Sequence, residues 1–217
     1  MMQSVIIADD AEIIDRLLDL HQAGESVLDL TYGHGRFWAR RPNDQQGRRI
    51  TGIDQRHPRE LENSADRYRP LIRATLSHLP FQRQSFHAIV CDPPFLIGSN
   101  GGGTIADRYT SPPTYQALLD LMANAATEAR RVIRPHGVAI IKAMDTTDGR
   151  RRRWFHSDVK SLWEQHGWRQ DDLIVKIGVT NMRNPGWTNQ ARSKAAHTFF
   201  LVFKTTRTPP RPGPSDA

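Results

Sequence analysis

The hydrophobic positions of this chain fall into short apolar runs separated by longer amphipathic segments. Short apolar runs bounded by turn residues are typical of buried strands, whereas apolar residues three and four positions apart are typical of helices. The strands predicted in this way are 26–30, 48–53, 71–76, 87–91, 138–142, 173–179 and 198–204. The predicted helices are 8–22, a segment after Gly35, 58–68 and 114–131. This alternation predicts an α/β fold with a doubly wound, mostly parallel sheet.

Charged, aromatic and turn-forming residues add detail to these elements. Asp9 and Asp10 stand at the start of the first helix, where carboxylates favour the helix dipole, so both are predicted to be caps rather than catalytic acids. Phe37 and Trp38 are expected to point into the core. The sequence Pro135-His136-Gly137 predicts a stop before the strand that begins at residue 138.

The composition is that of a single globular domain. With 217 residues, 38% of them apolar, the chain can bury one substantial core, which we place in residues 1–204. Residues 205–217 contain four prolines and no periodic apolar pattern, and are expected to form a disordered tail. No signal peptide and no apolar run of roughly 20 residues is present, so a cytoplasmic protein that spans no membrane is expected.

Charge and cysteine content narrow the expected partners. The formal net charge of +7 favours a polyanionic partner such as nucleic acid. The single cysteine, Cys91, lies in a predicted strand and is expected to pack rather than to act as a nucleophile. The nine histidines show no spacing typical of metal ligands, so no metal site is predicted. The sequence leaves the oligomeric state open, including a dimer.

A glycine-containing loop follows the strand 26–30. Two glycines, Gly33 and Gly35, permit a tight turn and close approach of the backbone to a ligand. The next strand ends at Asp54, about 20 residues further on, which is the spacing at which a carboxylate can accept both ribose hydroxyls. Together they indicate a site for a nucleotide-like cofactor.

The sequence Asp92-Pro93-Pro94-Phe95 directly follows the predicted strand 87–91. In an open α/β sheet, ligands bind at the carboxyl ends of strands. Asp92 and the Pro93 carbonyl could accept both N–H bonds of an exocyclic base amine, while Phe95 stacks on a base extruded from its helix. Alternatively, the two prolines simply end the strand and Phe95 fills the core.

These motifs occur in a familiar order. The segments VLDLTYGHG, ITGID and LPFQRQSFHAIVCDPPF resemble the S-adenosylmethionine-dependent adenine-N6 and cytosine-N4 DNA methyltransferases, whose diagnostic motif is (D/N/S)PP(Y/F). The match spans about residues 25–204, and the chain as a whole resembles the small single-domain enzymes of actinobacterial phages and prophages. It implies a Rossmann-like methyltransferase fold whose seven-stranded, mostly parallel sheet contains an antiparallel last strand.

The resemblance also implies roles for individual residues. The cofactor S-adenosylmethionine would lie against the loop after the first of these strands, with Asp54 on its ribose and Leu79 on its adenine. The loop residues implied are Asp29, Thr31, Tyr32, Gly33 and Gly35. Enzymes of this family often carry an acid for the adenine amine where this chain has Thr75. The residues implied in catalysis are Asp92, Pro93, Pro94 and Phe95.

Three segments are candidates for contacting nucleic acid. The glycine-rich segment 98–113 contains Arg108 and Tyr109, and is either a loop that closes over a flipped base or a plain insertion. The run 150–154 contains Arg152, and either binds phosphates or forms a solvated helix face. The segment 181–194 contains Arg183 and Trp187. Lys142, at the end of a strand, is a further candidate, with an ordinary surface lysine as the alternative.

The sequence therefore predicts a methyltransferase that acts on an exocyclic base amine in duplex DNA with a flipped base. Adenine N6 is the first choice of acceptor and cytosine N4 the second. Methylation of an RNA base amine, and a catalytically inactive nucleic-acid-binding protein with the same fold, remain as alternatives.

Overall fold

A central sheet organises the described part of the chain. The computed structural model describes residues 2–38, 47–56, 71–95, 97–98, 111–148, 151–178 and 196–206. Its strands are β1 (Val5–Ile6), β2 (Ser26–Asp29), β3 (Arg49–Asp54), β4 (Leu71–Arg73), β5 (Phe86–Cys91), β6 (Ile133–Ala143), β7 (Thr146–Asp148), β8 (Arg151–Arg153), β9 (Trp168–Ile177) and β10 (His197–Thr205). Its helices are α1 (Asp10–Leu20), α2 (Tyr115–Val132) and α3 (Phe155–Gln165), with a 3-10 turn at Arg36–Trp38.

Within the described ranges, eight strands form the main sheet, in the order β1-β9-β10-β6-β5-β2-β3-β4. β10 runs antiparallel to both of its neighbours, β9 and β6, whereas the other paired strands are parallel. The predicted doubly wound α/β fold with an antiparallel last strand is therefore confirmed. The sheet has eight strands rather than seven because the two-residue strand β1 pairs with β9.

Both faces of the sheet are covered, as its apolar strands require. One core cluster contains residues of α2 and α3, including Leu118, Met122 and Trp163. The other contains residues of α1, including Ile13 and Leu17. Strand β10 contributes to both clusters because its side chains alternate between the two faces.

The largest departure from the predicted elements is in β6. Pro135-His136-Gly137 does not stop the chain before a strand but lies inside β6, which begins at Ile133. His136 adopts a left-handed conformation with φ of 62°, and the β5–β6 register shifts nearby. A Cβ atom at Gly137 would lie 2.9 Å from the His87 carbonyl, so glycine permits this close approach of the two strands. This shift in register lets the segment stay paired in the sheet although it contains a proline.

Other boundaries also differ. β9 begins at Trp168 rather than at residue 173, and β4 ends at Arg73. Phe37 and Trp38 are buried as predicted, within a short 3-10 turn. The predicted helix 58–68 and the predicted tail beyond residue 206 lie outside the described residues.

The start of α1 separates the two adjacent acids. Asp9 is the N-cap, and its Oδ1 accepts the Glu12 backbone N–H at 2.8 Å, as predicted. Asp10 is not a cap. It is the first residue of the helix, and its carboxylate pairs with Lys142 and Lys176 instead.

Candidate active site

Two loops meet at the carboxyl ends of the adjacent parallel strands β2 and β5. The Leu30 N–H donates to the Val90 carbonyl at 2.9 Å and continues the pairing beyond β2. The Asp92 N–H then donates to the Thr31 hydroxyl at 2.6 Å. The glycine loop and the Asp-Pro-Pro-Phe turn are therefore joined directly, as the edge rule for parallel sheets predicts.

Asp29 organises the glycine loop from inside the protein. Its Oδ1 accepts the Thr31 N–H at 2.9 Å, and its Oδ2 accepts the Trp38 indole N–H at 2.8 Å. The residue is 1% exposed, and burial raises the pKa of Asp29 to about 7. Both oxygens are engaged within the loop, so the immediate task of Asp29 is to hold the loop's shape.

The rest of the loop has two kinds of residue. Gly33 and Gly35 have φ of 53° and 68°, a conformation that favours glycine. Tyr32 points the other way: it is 6% exposed and belongs to the core cluster beneath the loop. A Cβ atom on Gly52 would lie 2.3 Å from the Tyr32 ring, so the glycine in β3 makes room for the tyrosine.

Asp54 closes the far side of this loop. Its Oδ2 accepts the Gly33 N–H at 3.2 Å and the Arg56 guanidinium at 3.0 Å. Its Oδ1 accepts the Arg56 backbone N–H at 2.8 Å and side-chain Nε at 3.0 Å. Because a carboxylate offers about four acceptor positions, a ribose hydroxyl would have to displace or share one of these bonds. The spacing Asp54-x-Arg56 was the sequence signal for this pair, and our prediction missed it.

A cavity of about 310 Å³ opens beside the two loops. Its wall includes Thr31, Gly33, Asp54, Thr75, Asp92 and Pro94. Helix α2 adds Ala117 and Leu121. Their helical spacing is the same as that of core residues, so the sequence carries no signal that they line a site. The cavity brings the glycine loop, Asp54 and the Asp-Pro-Pro-Phe turn together.

Leu79 is not among the residues that line this cavity. It is 2% exposed, and its backbone N–H donates to Glu128 of α2 at 2.7 Å. Arg131 donates to the Leu79 carbonyl at 2.8 Å and to the Phe81 carbonyl at 2.7 Å. The segment predicted to cover the cofactor adenine is thus tied to α2, and Thr75 and Leu76 line the cavity instead.

Asp92 has one engaged oxygen and one without a partner. Its Oδ2 accepts the Lys142 ammonium at 2.9 Å, whereas Oδ1 is buried with no hydrogen-bond partner among the described residues. The side chain as a whole is 29% exposed, so the buried oxygen belongs to a group at the edge of the cavity. Burial raises the pKa of Asp92 above its ordinary value, although the neighbouring Lys142 ammonium opposes this shift.

Lys142 is not an ordinary surface lysine, which was one of the two interpretations of this residue from the sequence. Its side chain is 14% exposed, and its Nζ lies 2.9 Å from Asp10 as well as from Asp92. The same Nζ lies 5.7 Å from the centre of the Phe37 ring and 5.9 Å from that of Phe95. Phe95 packs in part against the core but is not fully buried. Pro93 is buried, and Pro94 lines the cavity.

The described contacts also identify the ends of a candidate closing loop. The Gly98 N–H donates to the Pro112 carbonyl at 3.1 Å, so the two ends of the segment between them lie together. Arg108 and Tyr109 are in the part of this segment that lies outside the described residues. Arg183 and Trp187 lie outside them as well.

Within the arginine run, the described residues Arg151–Arg153 form a strand rather than a helix face. Arg152 is in β8, which pairs antiparallel with β7 in a two-stranded sheet. The Arg153 guanidinium lies 4.9 Å from the centre of the Tyr115 ring. Trp154 follows and is 58% exposed, which is unusual for so large an apolar side chain.

Trp154 is the outermost of a series of rings. It meets His156 edge-on with ring centres 6.5 Å apart, and His156 stacks on Phe199 at 3.9 Å. The His156 ring nitrogen Nδ1 also lies 2.7 Å from the buried carboxylate of Asp145. These contacts hold the rings behind Trp154 in place and leave the indole accessible.

A larger cavity, of about 700 Å³, lies at the opposite edge of the sheet. It is lined by residues at the end of α1, at the start of β6 and at the end of β10, including His21, His136 and Lys204. Ligands of open α/β sheets bind at the carboxyl ends of the parallel strands. The smaller cavity, which contains Asp54 and Asp92, is therefore the candidate active site.

Among residues that the structure describes, no group of three or more His, Cys, Asp or Glu side chains could hold a metal ion. Within the same residues, no helix has the length and apolar character required to cross a membrane.

Cys91 is buried and has a free thiol, and burial raises the pKa of this thiol well above its ordinary value.

Comparisons with known proteins identify the fold. No protein-family model matches the chain, and no curated protein sequence matches it. Among solved structures, a methyltransferase from Methanosarcina mazei aligns with a TM-score of 0.58 and 15% identity over 93% of this chain and 99% of its own. A TehB-like methyltransferase from Corynebacterium glutamicum aligns with a TM-score of 0.54 and 17% identity over 91% of this chain and 87% of its own. Both are described as S-adenosylmethionine-dependent.

A third structure was determined with ligands. It is the 1,6-didemethyltoxoflavin-N1-methyltransferase of Burkholderia thailandensis, with bound 1,6-didemethyltoxoflavin and S-adenosylhomocysteine. It aligns with a TM-score of 0.56 and 17% identity over 91% of this chain and 78% of its own. The chain therefore has the Rossmann-like fold of S-adenosylmethionine-dependent methyltransferases.

Proposed function

We propose that this protein is an S-adenosylmethionine-dependent methyltransferase that methylates an exocyclic amine of a DNA base, adenine N6 first and cytosine N4 second. The observation that carries the proposal is Asp92: a carboxylate at the end of β5, beside a nucleotide-sized cavity, with Oδ1 buried and without a partner among the described residues. A buried acceptor without a donor is costly, so its persistence favours a ligand that donates to it.

The residues around the cavity fit the proposed cofactor. S-adenosylmethionine supplies an activated methyl group when it is bound. Asp54 would accept from the ribose and Thr75 would face the adenine, while Thr31 and Gly33 would line the methionine end. The positive φ of Gly33 supports this assignment, because it turns the loop so that its backbone faces the cavity without a side chain. Arg56 would have to give up part of its hold on Asp54.

The proposed role of Asp92 is to accept a hydrogen bond from the amine, not to act as a nucleophile. An exocyclic amine is a weak nucleophile because its lone pair is delocalised into the ring. We assign one N–H to Asp92 Oδ1 and the other to the Pro93 carbonyl, with Phe95 stacked on the base. Fixed acceptors in a partly desolvated site can favour the reactive form of the amine without any strong base, and the amine loses its proton after transfer.

Nucleic acid as the partner is supported by charge and by exposed aromatic surface. The net charge is +7, and the arginines of β8 lead directly to the exposed Trp154. Cations contact phosphates, and an exposed aromatic ring offers a face for base stacking. The proposal of DNA rather than RNA rests on the resemblance of the Asp-Pro-Pro-Phe motif to DNA amine methyltransferases.

Replacement of Trp154 by Ala tests this surface. We expect about a tenfold loss of affinity for nucleic acid, since stacking on one base contributes about 1–3 kcal/mol. Trp154→Phe is the matched control and should retain most of the affinity, because it keeps an aromatic face. Fluorescence anisotropy with a labelled duplex measures both variants. Equal affinity of Trp154→Ala and the wild-type protein would remove Trp154 from the proposed surface.

The function itself is tested by transfer of a labelled methyl group. Purified protein and tritiated S-adenosylmethionine are incubated with duplex DNA, single-stranded DNA or ribosomal RNA. The variant Glu164→Gln, which changes an exposed residue of α3, is purified in the same way and should be as active as the wild type. Label on DNA supports the proposal, and label on RNA alone replaces DNA by RNA as the substrate. Calorimetry that detects no cofactor binding would favour an inactive nucleic-acid-binding protein.

A further inference from the structure

An alternating row of charges leads away from Asp92. Lys142 Nζ lies 2.9 Å from Asp92 Oδ2 and 2.9 Å from Asp10 Oδ2. The other oxygen of Asp10 pairs with Lys176. The row Lys176–Asp10–Lys142–Asp92 therefore joins β9, α1, β6 and the turn after β5. We call these four residues the charge row.

Helix capping does not account for Asp10. The cap of α1 is Asp9, which already accepts the Glu12 N–H. Asp10 is 27% exposed at its side chain, yet both of its oxygens are directed at lysines rather than at the helix terminus. Burial acts to raise the pKa of Asp10, but the neighbouring Lys142 and Lys176 outweigh it, so the pKa is lowered and the carboxylate form is favoured.

The ammonium of Lys142 is confined on several sides. Two carboxylates lie on it at 2.9 Å, and the Phe37 and Phe95 rings lie within 6 Å. A lysine bound by one carboxylate can rotate about its flexible stem, whereas one held between two has far less freedom. Confinement of Lys142 in turn fixes Asp92 Oδ2, and so determines where the unpartnered Oδ1 stands.

We propose that Asp10 is a positioning residue: it holds Lys142 against Asp92 so that Asp92 Oδ1 remains available to accept the amine. This inference rests on the proposed function for the identity of the ligand. The proposal adds a residue of α1 to the site. This helix precedes the glycine loop in sequence, and none of its residues lines the cavity. Lys176 supports Asp10 from the other side.

The charge row also predicts opposite effects on the ionisation of Asp92. The charged groups around Asp92 are Lys142 on β6, Asp10 on α1, Lys176 on β9 and Asp29 at the end of β2. Lys142 and Lys176 lower the pKa of Asp92, and the negative charge of Asp10 raises it. Removal of Asp10 should therefore lower the pKa of Asp92, whereas removal of Lys142 should raise it. The shifts test whether these charges act on Asp92, and the rate of methyl transfer tests positioning, because a bridge that only fastened α1 to the sheet would leave kcat unchanged.

The experiment uses the full-length variants Asp10→Asn, Lys142→Met and their combination. The pKa of Asp92 is followed by carbon-13 NMR of the carboxyl groups, with the resonance assigned through its loss in Asp92→Asn. Glu12→Gln is the matched control, since it also removes one acid from the first turn of α1 but leaves the charge row intact. Circular dichroism checks that each variant folds. If Asp10→Asn does not fold, Lys176→Met replaces it and should raise the pKa of Asp92.

We expect a lower pKa in Asp10→Asn, a higher one in Lys142→Met and no shift in Glu12→Gln. In methyl transfer, we expect kcat of Asp10→Asn to fall about tenfold with an unchanged KM for the cofactor, as loss of positioning requires. Unshifted Asp92 ionisation in both Asp10→Asn and Lys142→Met would overturn the inference, and so would shifts accompanied by unchanged kcat. If the wild-type protein transfers no methyl group, the proposed function fails, while the NMR shifts still decide whether the charge row governs Asp92.

Discussion

Asp29 and Asp92 occupy equivalent places in the sheet and have different surroundings. Each ends or follows one of two adjacent parallel strands, and burial raises the pKa of both. Asp29 has both oxygens satisfied by groups within nine residues in sequence, Thr31 and Trp38. Asp92 has one oxygen bound by Lys142, 50 residues away, and the other without a partner among the described residues.

We infer that this difference separates a structural carboxylate, Asp29, from the one that we propose to take part in the reaction, Asp92. A buried acid whose hydrogen bonds are complete fixes the backbone around it, and nothing remains for a ligand. An acid with one buried, unsatisfied oxygen retains a cost that a donor from a substrate can remove. A raised pKa alone therefore does not distinguish the two residues. The inventory of hydrogen-bond partners does.

The largest expected effect is on rate, from Asp92→Asn. The amide preserves the shape but places an NH₂ group or a differently oriented carbonyl where the amine needs an acceptor. We expect kcat to fall about 10²–10³-fold, the range for loss of one fixed polar group that stabilises the transition state, with cofactor binding nearly unchanged and a smaller change in the free energy of unfolding, because Lys142 keeps its partner Asp10. Single-turnover kinetics, calorimetry and urea denaturation measure these three quantities. Equal activity of Asp92→Asn and wild type would show that Asp92 is structural as well.

The second expected effect is on stability, from Asp29→Asn. In the wild type, the folded-state pKa of Asp29 is raised from 3.8 to about 7, so the folded state holds a proton that the unfolded state releases. The stabilisation from this proton is complete below pH 3.8 and is lost as pH rises through about 7. Between pH 5 and 7 the wild type should lose about 1.4 kcal/mol per pH unit from this group, and Asp29→Asn should not.

Urea denaturation of both proteins at several pH values provides the measurement. At pH 5 the variant should be less stable by about 1–3 kcal/mol, because an amide cannot accept both the Thr31 and the Trp38 N–H. This deficit should shrink as pH rises to 8. A deficit that stays constant would mean that Asp29 is ionised in the folded state across this range, contrary to our account.

The smallest of the three effects concerns the bond that joins the two regions. Thr31→Val removes the hydroxyl that accepts the Asp92 N–H and leaves that donor unsatisfied. We expect kcat to fall about tenfold and the free energy of unfolding to fall by about 1–3 kcal/mol. Thr31→Ser retains the hydroxyl and should behave like the wild type in both assays. If the serine variant is as impaired as the valine variant, the methyl group of Thr31 matters rather than its hydroxyl.

Local signals in the sequence predicted most of the fold. Apolar runs located seven of the eight strands described in the main sheet, but not the two-residue strand β1, and helix α3 was not predicted. The carboxyl-end rule brought the glycine loop, Asp54 and Asp92 to one edge. Pro135-His136-Gly137 misled because Gly137 allows β6 to approach the His87 backbone closely, and only the neighbouring strand reveals this need. Periodicity describes one element at a time and does not contain such pairwise constraints.

In the candidate site, the residues at the carboxyl ends of the strands could be predicted from the sequence, because the carboxyl-end rule places them together. Asp10 was predicted to be a cap, and no role was predicted for Lys176 or Arg56, because the roles of all three depend on partners. The bond from Lys176 to Asp10 spans 166 positions in sequence, and no spacing rule connects residues so far apart. Leu79 was expected at the adenine site; it does not line the cavity, and its backbone is bound by Glu128 and Arg131 of α2.

The most direct test of the central claim is nucleoside analysis of DNA from cells that express this protein. Wild type and Asp92→Asn are expressed in a host without background N6-methyladenine and N4-methylcytosine, and the digested DNA and RNA are examined by mass spectrometry. We predict N6-methyladenine, or failing that N4-methylcytosine, in DNA from the wild type and neither base with Asp92→Asn. Wild-type DNA without either modified base, or equal amounts with both proteins, would contradict the assignment of Asp92 as the acceptor for a DNA amine.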